Sequence, residues 1–262
     1  MLDIIHKCMK SQIYDQAKYY EIAFSFIDPK KQGDLFEQFI KKYGKKKVET
    51  VLDLGCGTAL QLREMAKRGY ESIGLDASAK MLDYLKKESL REGVKIETIK
   101  ADMNSFKLKQ KVDFAYIMMG SISYTKNNKL FLSHLNSVAD CLNSGGLYLI
   151  ENLTINWADP KFWKPQTWTM RRGKTKVKTT YQPIPKNLIS QTITQTIKLE
   201  VDDNGKRTEL IDKDDLKIIA PEELKLLVEK NGQFEFIGFF ERYSTRLLKK
   251  ISSDNIALLR RK

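Results

Sequence analysis

The chain has 262 residues, 42% of them hydrophobic and 30% charged, enough for one large domain or for a domain with a sizeable insertion around a real core. No apolar run approaches the roughly 18 residues that span a bilayer, and Met1–Lys10 shows no apolar stretch followed by a small-residue cleavage site. Three scattered cysteines (Cys8, Cys56, Cys141) argue against a disulfide framework or a zinc site, so the expectation is a reduced, cytoplasmic protein with no membrane partner. The net charge of +13 is open to three readings: a nucleic-acid partner, an anionic small substrate, or only a lysine-rich proteome.

Up to Glu151, short β-rich runs alternate with helical patterns. Val48–Leu54 reads as a buried strand and Ala59–Arg68 as a helix, with Leu62, Met65 and Ala66 at helical spacing and Gly69 at its C-cap. Ser72–Leu75 is a second strand and Ser78–Glu92 a second helix. Val94–Ile99, Val112–Met118 and Leu147–Ile150 are three further strands. The helix Lys129–Leu142 stops at Asn143-Ser144-Gly145-Gly146. Such alternation predicts a parallel sheet covered on both faces.

Beyond Glu151 the pattern changes. Thr167–Tyr181 and Leu188–Leu210 are rich in Thr, Ile and Val, and Asp203-Asn204-Gly205 is a hairpin turn. An antiparallel β insertion is expected here. Pro221 then opens a helix that ends at Asn231-Gly232, and Phe234–Phe240 and Asn255–Arg260 close the chain as strands. The expected organisation is a core over 1–151, an insertion over 152–218 that serves as a substrate lid, and a return to the core over 219–262.

The sharpest motif is Val51-Leu52-Asp53-Leu54-Gly55-Cys56-Gly57-Thr58, a strand running into glycines and then a helix. Glycine there permits a sharp turn and lets a ligand lie against the main chain. A pyrophosphate-binding version calls for a third glycine at position 60, where this chain has Leu60. Asp76 ends the second strand, placed to accept from both hydroxyls of a ribose. Asp102 ends the third, placed to take the exocyclic amine of an adenine, with Met103 or Met81 on the ring face. Taken singly, the glycines also read as a plain turn and each Asp as a helix N-cap.

Together, Val51–Thr58, Asp76-Ala77-Ser78 with Met81-Leu82, Ala101-Asp102-Met103 and Gly145-Gly146 resemble the successive motifs of class I S-adenosylmethionine-dependent methyltransferases; Ala59 stands where that family usually has a further glycine. The resemblance implies an α/β fold, Rossmann-like, with a seven-stranded mostly parallel sheet whose last two strands form an antiparallel edge, and an antiparallel β insertion after the fifth strand. It implies S-adenosylmethionine as cofactor, with Asp53, Gly55 and Gly57 at the methionine end, Asp76 with Ala77 at the ribose, Asp102 with Met103 and Met81 at the adenine, and Met119 approaching the methionine portion.

Tyr14-Asp15 and Tyr19-Tyr20-Glu21 before the first strand, and the long insertion, are similar to small-molecule N-methyltransferases of the amino-sugar and glycine type. That comparison puts Tyr14 and Tyr20 at the cofactor, Tyr20 closing over it. Ser121-Ile122-Ser123-Tyr124 fits the amino-sugar enzymes better than the glycine-specific ones, which makes Tyr124 a substrate-binding candidate. The alternative for Tyr14 and Tyr19 is an amphipathic helix that uses aromatics as core.

Methyl transfer from an activated sulfonium requires only a neutral nucleophile held close and in line. A carboxylate can orient an amine or take its proton. Glu151, with Asn152 beside it, is the candidate, with Tyr20 as the second catalytic one; the alternative for Glu151 is a loop cap. Two separated histidines, His6 and His134, make metal assistance improbable, and no metal is expected.

Between Asp159 and Glu200 there is no acidic residue and there are nine basic ones. Trp163, Trp168, Arg171 and Arg172 in that stretch are candidate contacts for a ring-bearing, anionic substrate, a nucleotide-linked sugar being one fit; the alternative is that they build the insertion's own core and solvated face. The expected activity is methyl transfer to an amine on an anionic small molecule by a monomer or homodimer. RNA methylation is the alternative, weakened by Ile117-Met118-Met119-Gly120 where nucleic-acid amine methylases carry an Asp/Asn-Pro-Pro-aromatic run. Protein methylation and a non-catalytic ligand-binding role are further alternatives.

Overall fold

The computed structural model describes residues 12–262. Two helices, α1 (Ala17–Ala23) and α2 (Pro29–Tyr43), precede the first strand. Asp28 caps α2 by accepting from the amides of Lys30 and Lys31, with Pro29 in the first turn, where a missing N–H costs nothing. There follow β1 (Thr50–Leu54), α3 (Leu60–Lys67), β2 (Glu71–Asp76), α4 (Ala79–Arg91), β3 (Ile96–Lys100), β4 (Val112–Ile117), a 3₁₀ turn over Ser121–Thr125, α5 (Asn128–Cys141) and β5 (Leu142–Glu151). After an irregular segment come β6 (Gln166–Arg172), β7 (Thr175–Asn187), β8 (Thr192–Asp203) and β9 (Lys206–Lys217), then α6 (Pro221–Asn231), β10 (Phe234–Glu241) and β11 (Asn255–Arg261).

The main sheet has seven strands in the order β10-β11-β5-β4-β1-β2-β3. β1 to β5 are parallel, and β11 runs antiparallel to both β5 and β10, as expected. β1 is buried along its whole length, the mark of a central strand covered on both faces. Gly74 in β2 is required by packing: a Cβ there would stand 3.0 to 3.2 Å from Cys56, Leu85 and Leu62, so its absence lets α3 and α4 close on the sheet.

The helix stop read at Asn143–Gly146 holds, α5 ending at Cys141, but the strand expected from Leu147 starts earlier. β5 begins at Leu142, directly after α5, and the ladder with β4 shifts register between Val112 and Phe114. Gly145 (φ 83°) supplies the left-handed residue of this irregularity, so its glycines reshape a strand instead of making a loop.

β6 to β9 form a separate four-stranded antiparallel meander. A turn at Gly173 divides the first of the two expected β runs, and the Asn204-Gly205 turn, both residues at positive φ, divides the second as the sequence indicated. One face of the meander, with Val177, Leu199 and Val201, packs on Ile13, Ile22, Ala23 and Phe24. α1 is therefore held between the meander and the helices α3 and α4. No helix among the described residues is long and apolar enough to cross a membrane.

Candidate functional site

The carboxyl ends of β1, β2 and β4, and the turn after β3, converge on one cavity of about 540 Å³. Its lining includes Tyr14, Tyr20, Gly55, Gly57, Asp76, Ala77, Asp102, Met103 and Tyr124, residues that the sequence reading named from five separate segments. Asp53 and Met119 line a smaller space continuous with it through Tyr20, Gly55 and Ser121. Met81 is the exception. It is buried in the first turn of α4, where its amide donates to the N-cap Ser78 Oγ (3.3 Å), and it lines none of these cavities.

The glycine turn owes its shape to backbone sign. Gly55 (φ 63°) and Gly57 (φ 54°) are left-handed, and a Cβ on them would come to 3.5 Å from Ser121 and 3.8 Å from Tyr20. Ala59 continues the left-handed run at φ 56° and opens α3, so the position where the family favours glycine still demands glycine-like geometry. Asp76 ties the turn to the second strand: its carboxylate accepts from the amides of Gly57 (2.8 Å) and Ser78 (2.7 Å).

Burial raises the Asp53 carboxyl well above the usual range, and the nearby Asp76 charge adds to the shift. Burial raises Asp76 too, against the pull of the Ser78, Gly57 and Ala77 amides. None of the groups acting on either carboxylate is a cation. Two carboxyl groups, Asp53 buried and Asp76 half-buried, stand beside a glycine cradle in a cavity that Asp102 and Met103 also line, an arrangement that suits a ligand bringing positive charge and hydroxyl donors. S-adenosylmethionine fits that description, with its sulfonium, its ammonium and its ribose diol.

Met103 is fixed from behind. Its carbonyl accepts from Nδ1 of the buried His134 (2.8 Å), whose Nε2 accepts from the Tyr148 hydroxyl (2.6 Å). A carbonyl only accepts, so the Nδ1–H tautomer follows. Burial lowers the His134 pKa to about 4, which keeps the ring neutral under physiological conditions. Asp102 is exposed and accepts from the Asn104 amide and side chain through Oδ1.

A second cavity, about 460 Å³, lies between the carboxyl end of the main sheet and the meander. Met119, Gly120, Ser123 and Asn152 floor it, Phe162, Tyr181, Ile193 and Gln195 wall it, and Asp159, Lys161, Arg242 and Asp254 bring charge. Met119 lines both this cavity and the cofactor space, so the two meet there.

Several sequence-derived candidates sit elsewhere. Glu151 is 1% exposed and both its oxygens are engaged: Oε2 accepts from the Met119 amide (2.7 Å) and Oε1 pairs with Arg242 Nε (2.7 Å). It holds the floor of the cavity and is not a free base. Trp163 packs at a tilt on Trp157 and edge-on against Phe162 in the insertion's own core and donates to the Trp157 carbonyl (3.1 Å); Phe162 takes the place at the cavity wall. Trp168 packs on Phe24 and Phe26 and donates to the Ala23 carbonyl (2.7 Å), clamping α1. Arg172 pairs with the buried Glu21 (2.8 Å), which also pairs with Arg63 (2.6 Å). Arg171 is exposed. Of the nine basic residues in the acid-free stretch, Lys161 alone lines the second cavity. Tyr124 is the candidate that stays at the site, its hydroxyl 2.9 Å from that of Tyr14 and 3.4 Å from Asp214.

Comparison with known proteins agrees with this geometry. A family model described as a methyltransferase domain matches residues 51–146. A crystal structure of an S-adenosylmethionine-dependent methyltransferase from Clostridium acetobutylicum shares the fold at TM-score 0.78 and 16% identity, over 95% of this chain and 98% of that one. A sugar N-methyltransferase from Streptoalloteichus does so at TM-score 0.74 and 14% identity, over 96% and 94%. In sequence, a dTDP-3-amino-3,4,6-trideoxy-alpha-D-glucopyranose N,N-dimethyltransferase of Streptomyces venezuelae is 27% identical over 123 residues, 45% of each chain. The chain spans about half the length of the curated relatives it matches. The matched part holds the glycine turn, Asp76 and Asp102; the meander lies outside the family model.

Residues that sequence reasoning missed come mostly from the second cavity. Phe162, Tyr181, Gln195 and Arg242 lie on β strands or loops far apart in the chain and carry no local motif. Glu21 had a signal, a carboxylate next to Tyr20, but its partner Arg172 lies 151 residues away.

Proposed function

We propose that this chain transfers a methyl group from S-adenosylmethionine to an amine on a small molecule about the size of a sugar nucleotide, with the 152–218 insertion as the wall that selects it. One observation carries the reading: an acceptor-sized cavity between the two sheets meets the cofactor space at Met119. Asp53, Gly55, Gly57, Asp76, Asp102 and Met103 would hold the cofactor, which supplies an electrophilic methyl on a positively charged sulfur. Tyr20 roofs the site from α1, and burial keeps its hydroxyl protonated, so it acts as a neutral wall and donor. Met119 and its neighbours hold the incoming nitrogen in line, and the walls exclude water. The nitrogen lone pair forms the N–C bond as the S–C bond breaks, sulfur keeps that electron pair, and the new ammonium gives its proton to solvent.

That the acceptor is an amine, and that a sugar ring carries it, is supported by the relatives that act on amino sugars. Its anionic part would meet Lys161, since Arg242 is already paired with Glu151 and Asp254. The test is a panel: the purified chain with S-adenosylmethionine and dTDP-3-amino-3,4,6-trideoxyglucose, free amino sugars, or bulk tRNA, read by S-adenosylhomocysteine release and product mass. Turnover of an amino sugar supports the reading. Turnover of tRNA alone transfers it to the RNA alternative, and no binding of S-adenosylmethionine in calorimetry removes it.

A further inference from the structure

Helix α5 grips the turn after β3 with polar side chains. Leu130, Ser133, His134 and Ser137 stand at i, i+3, i+4 and i+7, so they share one face of the helix. The Ser133 hydroxyl donates to the Asn104 carbonyl (2.7 Å), His134 Nδ1 donates to the Met103 carbonyl (2.8 Å), and Ser137 Oγ accepts from the Phe106 amide (3.2 Å). Leu130, at the start of the same face, lines the cofactor cavity together with Asp102 and Met103.

The turn closes on itself through the Ser105 amide, which donates to the Asp102 carbonyl (3.1 Å), and the Asn104 amide, which donates to Asp102 Oδ1 (2.8 Å). Those bonds give the turn its shape but not its place. A turn at the rim of a cavity can leave its carbonyls to water. Here two successive carbonyls are taken by α5 instead, one of them by a ring that is 0% exposed. Tyr148 of β5 orients that ring from its other side, so the turn is referenced to the main sheet. The groups left over face ligand chemistry. The Met103 amide makes no hydrogen bond among the described residues, and Asp102 Oδ2 stands outside the turn's own bonds.

We propose that this face of α5 is the frame that sets an adenine-reading turn, with His134 as its central positioning residue: by holding the Met103 carbonyl it fixes the Met103 amide against the Asp102 carboxylate, and with that the preference for adenine over other purines. This rests on the reading of Asp102 and Met103 as the adenine site. An adenine edge offers a donating amine beside an accepting ring nitrogen. Asp102 Oδ2 and the Met103 N–H are the complement of that edge, and a slip of about 1 Å between them loses the match.

The experiment compares wild type, His134→Asn, His134→Gln, His134→Leu and Ser133→Ala by thermal midpoint and by calorimetric titration with S-adenosylhomocysteine and S-inosylhomocysteine. The inosyl ligand carries an oxygen in place of the amine and a hydrogen on the neighbouring ring nitrogen, which reverses both contacts. Wild type should prefer the adenosyl ligand by about a hundredfold. The Asn side chain brings an N–H to the place of Nδ1, so His134→Asn should keep that preference within about threefold. His134→Gln, whose amide reaches toward Nε2 instead, and His134→Leu should bind the adenosyl ligand about tenfold more weakly and the inosyl ligand within about threefold of wild type. Ser133→Ala removes the neighbouring tether with little loss of packing; it should lower the preference about threefold, and it decides the matter if the His134 variants do not fold. A residue that only packs would lower the midpoint and weaken both ligands alike. Equal weakening of the two ligands, or a wild-type preference retained in His134→Gln, His134→Leu and Ser133→Ala, overturns the frame and leaves the adenine site standing. Equal binding of the two ligands by wild type overturns the adenine site and the frame with it.

Discussion

The two cavities of this molecule are built by different means. The cofactor side is made of turns at successive strand ends, where the residues that shape the ligand space also shape the turn: Gly57 is both a left-handed turn residue and a donor to Asp76. The acceptor side is made by juxtaposition, with a floor from the ends of β4 and β5 and walls from the meander and the segment near Asp254. Local geometry can serve a shared cofactor with little variation. A wall assembled from distant segments can change its acceptor without disturbing that geometry.

The sharpest break in this division is Glu151, which belongs to the floor and not to the cofactor turns. Glu151→Ala leaves Arg242 largely buried and without its nearest partner, and removing one half of such a pair costs about 3–5 kcal/mol. The thermal midpoint should fall by about 10 °C in a melt, with S-adenosylmethionine affinity in the folded fraction nearly unchanged. A large affinity loss would place Glu151 at the cofactor. Asp76→Ala is the counterpart on the other side. It removes the acceptor of two backbone amides and the proposed ribose contacts, so calorimetry should show about a hundredfold weaker S-adenosylmethionine binding.

Asp53→Asn sharpens the electrostatic part. Its carboxyl pKa is raised in the fold, so its contribution to stability is full below the unfolded value, near 4, and is lost as pH rises through the folded value. At neutral pH the carboxylate therefore weakens the unliganded protein. The amide should raise the ligand-free midpoint by about 3 °C at pH 7.5, a gain that vanishes near pH 4, and should weaken cofactor binding about tenfold. A midpoint that drops at pH 7.5 would show the carboxylate to be a stabilising partner.

The smallest effect is expected on the outer face of the meander. Reversing Lys174, Lys176 and Lys178 to Glu should leave kcat/KM for an amine acceptor within about twofold, because none of the three lines the acceptor cavity. A collapse of activity with these three changes would return the basic stretch to the substrate, as an RNA-binding surface would require.

The same division explains what could be read from the chain. The main sheet and its parallel strands were legible because strands alternated with helices and the motif glycines and carboxylates stood at strand ends. The early start of β5 was missed because a glycine pair that stops a helix can also be a bulge within the next strand. In β6 the alternation was visible, but not which face met the ligand. Trp168, Met170 and Arg172 share the period-2 face that packs on α1, which turned two candidate substrate contacts into clamps on that helix. Asn152 could be placed at a strand end, but its left-handed backbone follows from Glu151, Arg242 and Asn255, and those contacts exist only in the folded chain.

Asp53 and Asp76 together make a site whose grip depends on the charge of its occupant. On the proposed reading, the molecule that enters carries a sulfonium and the molecule that leaves carries a neutral thioether. At low dielectric the loss of one positive charge beside two carboxylates weakens retention, because the attraction goes and the desolvation of the anions remains. On that reading the same pair that makes the empty protein less stable also favours exchange of the demethylated product for a fresh donor.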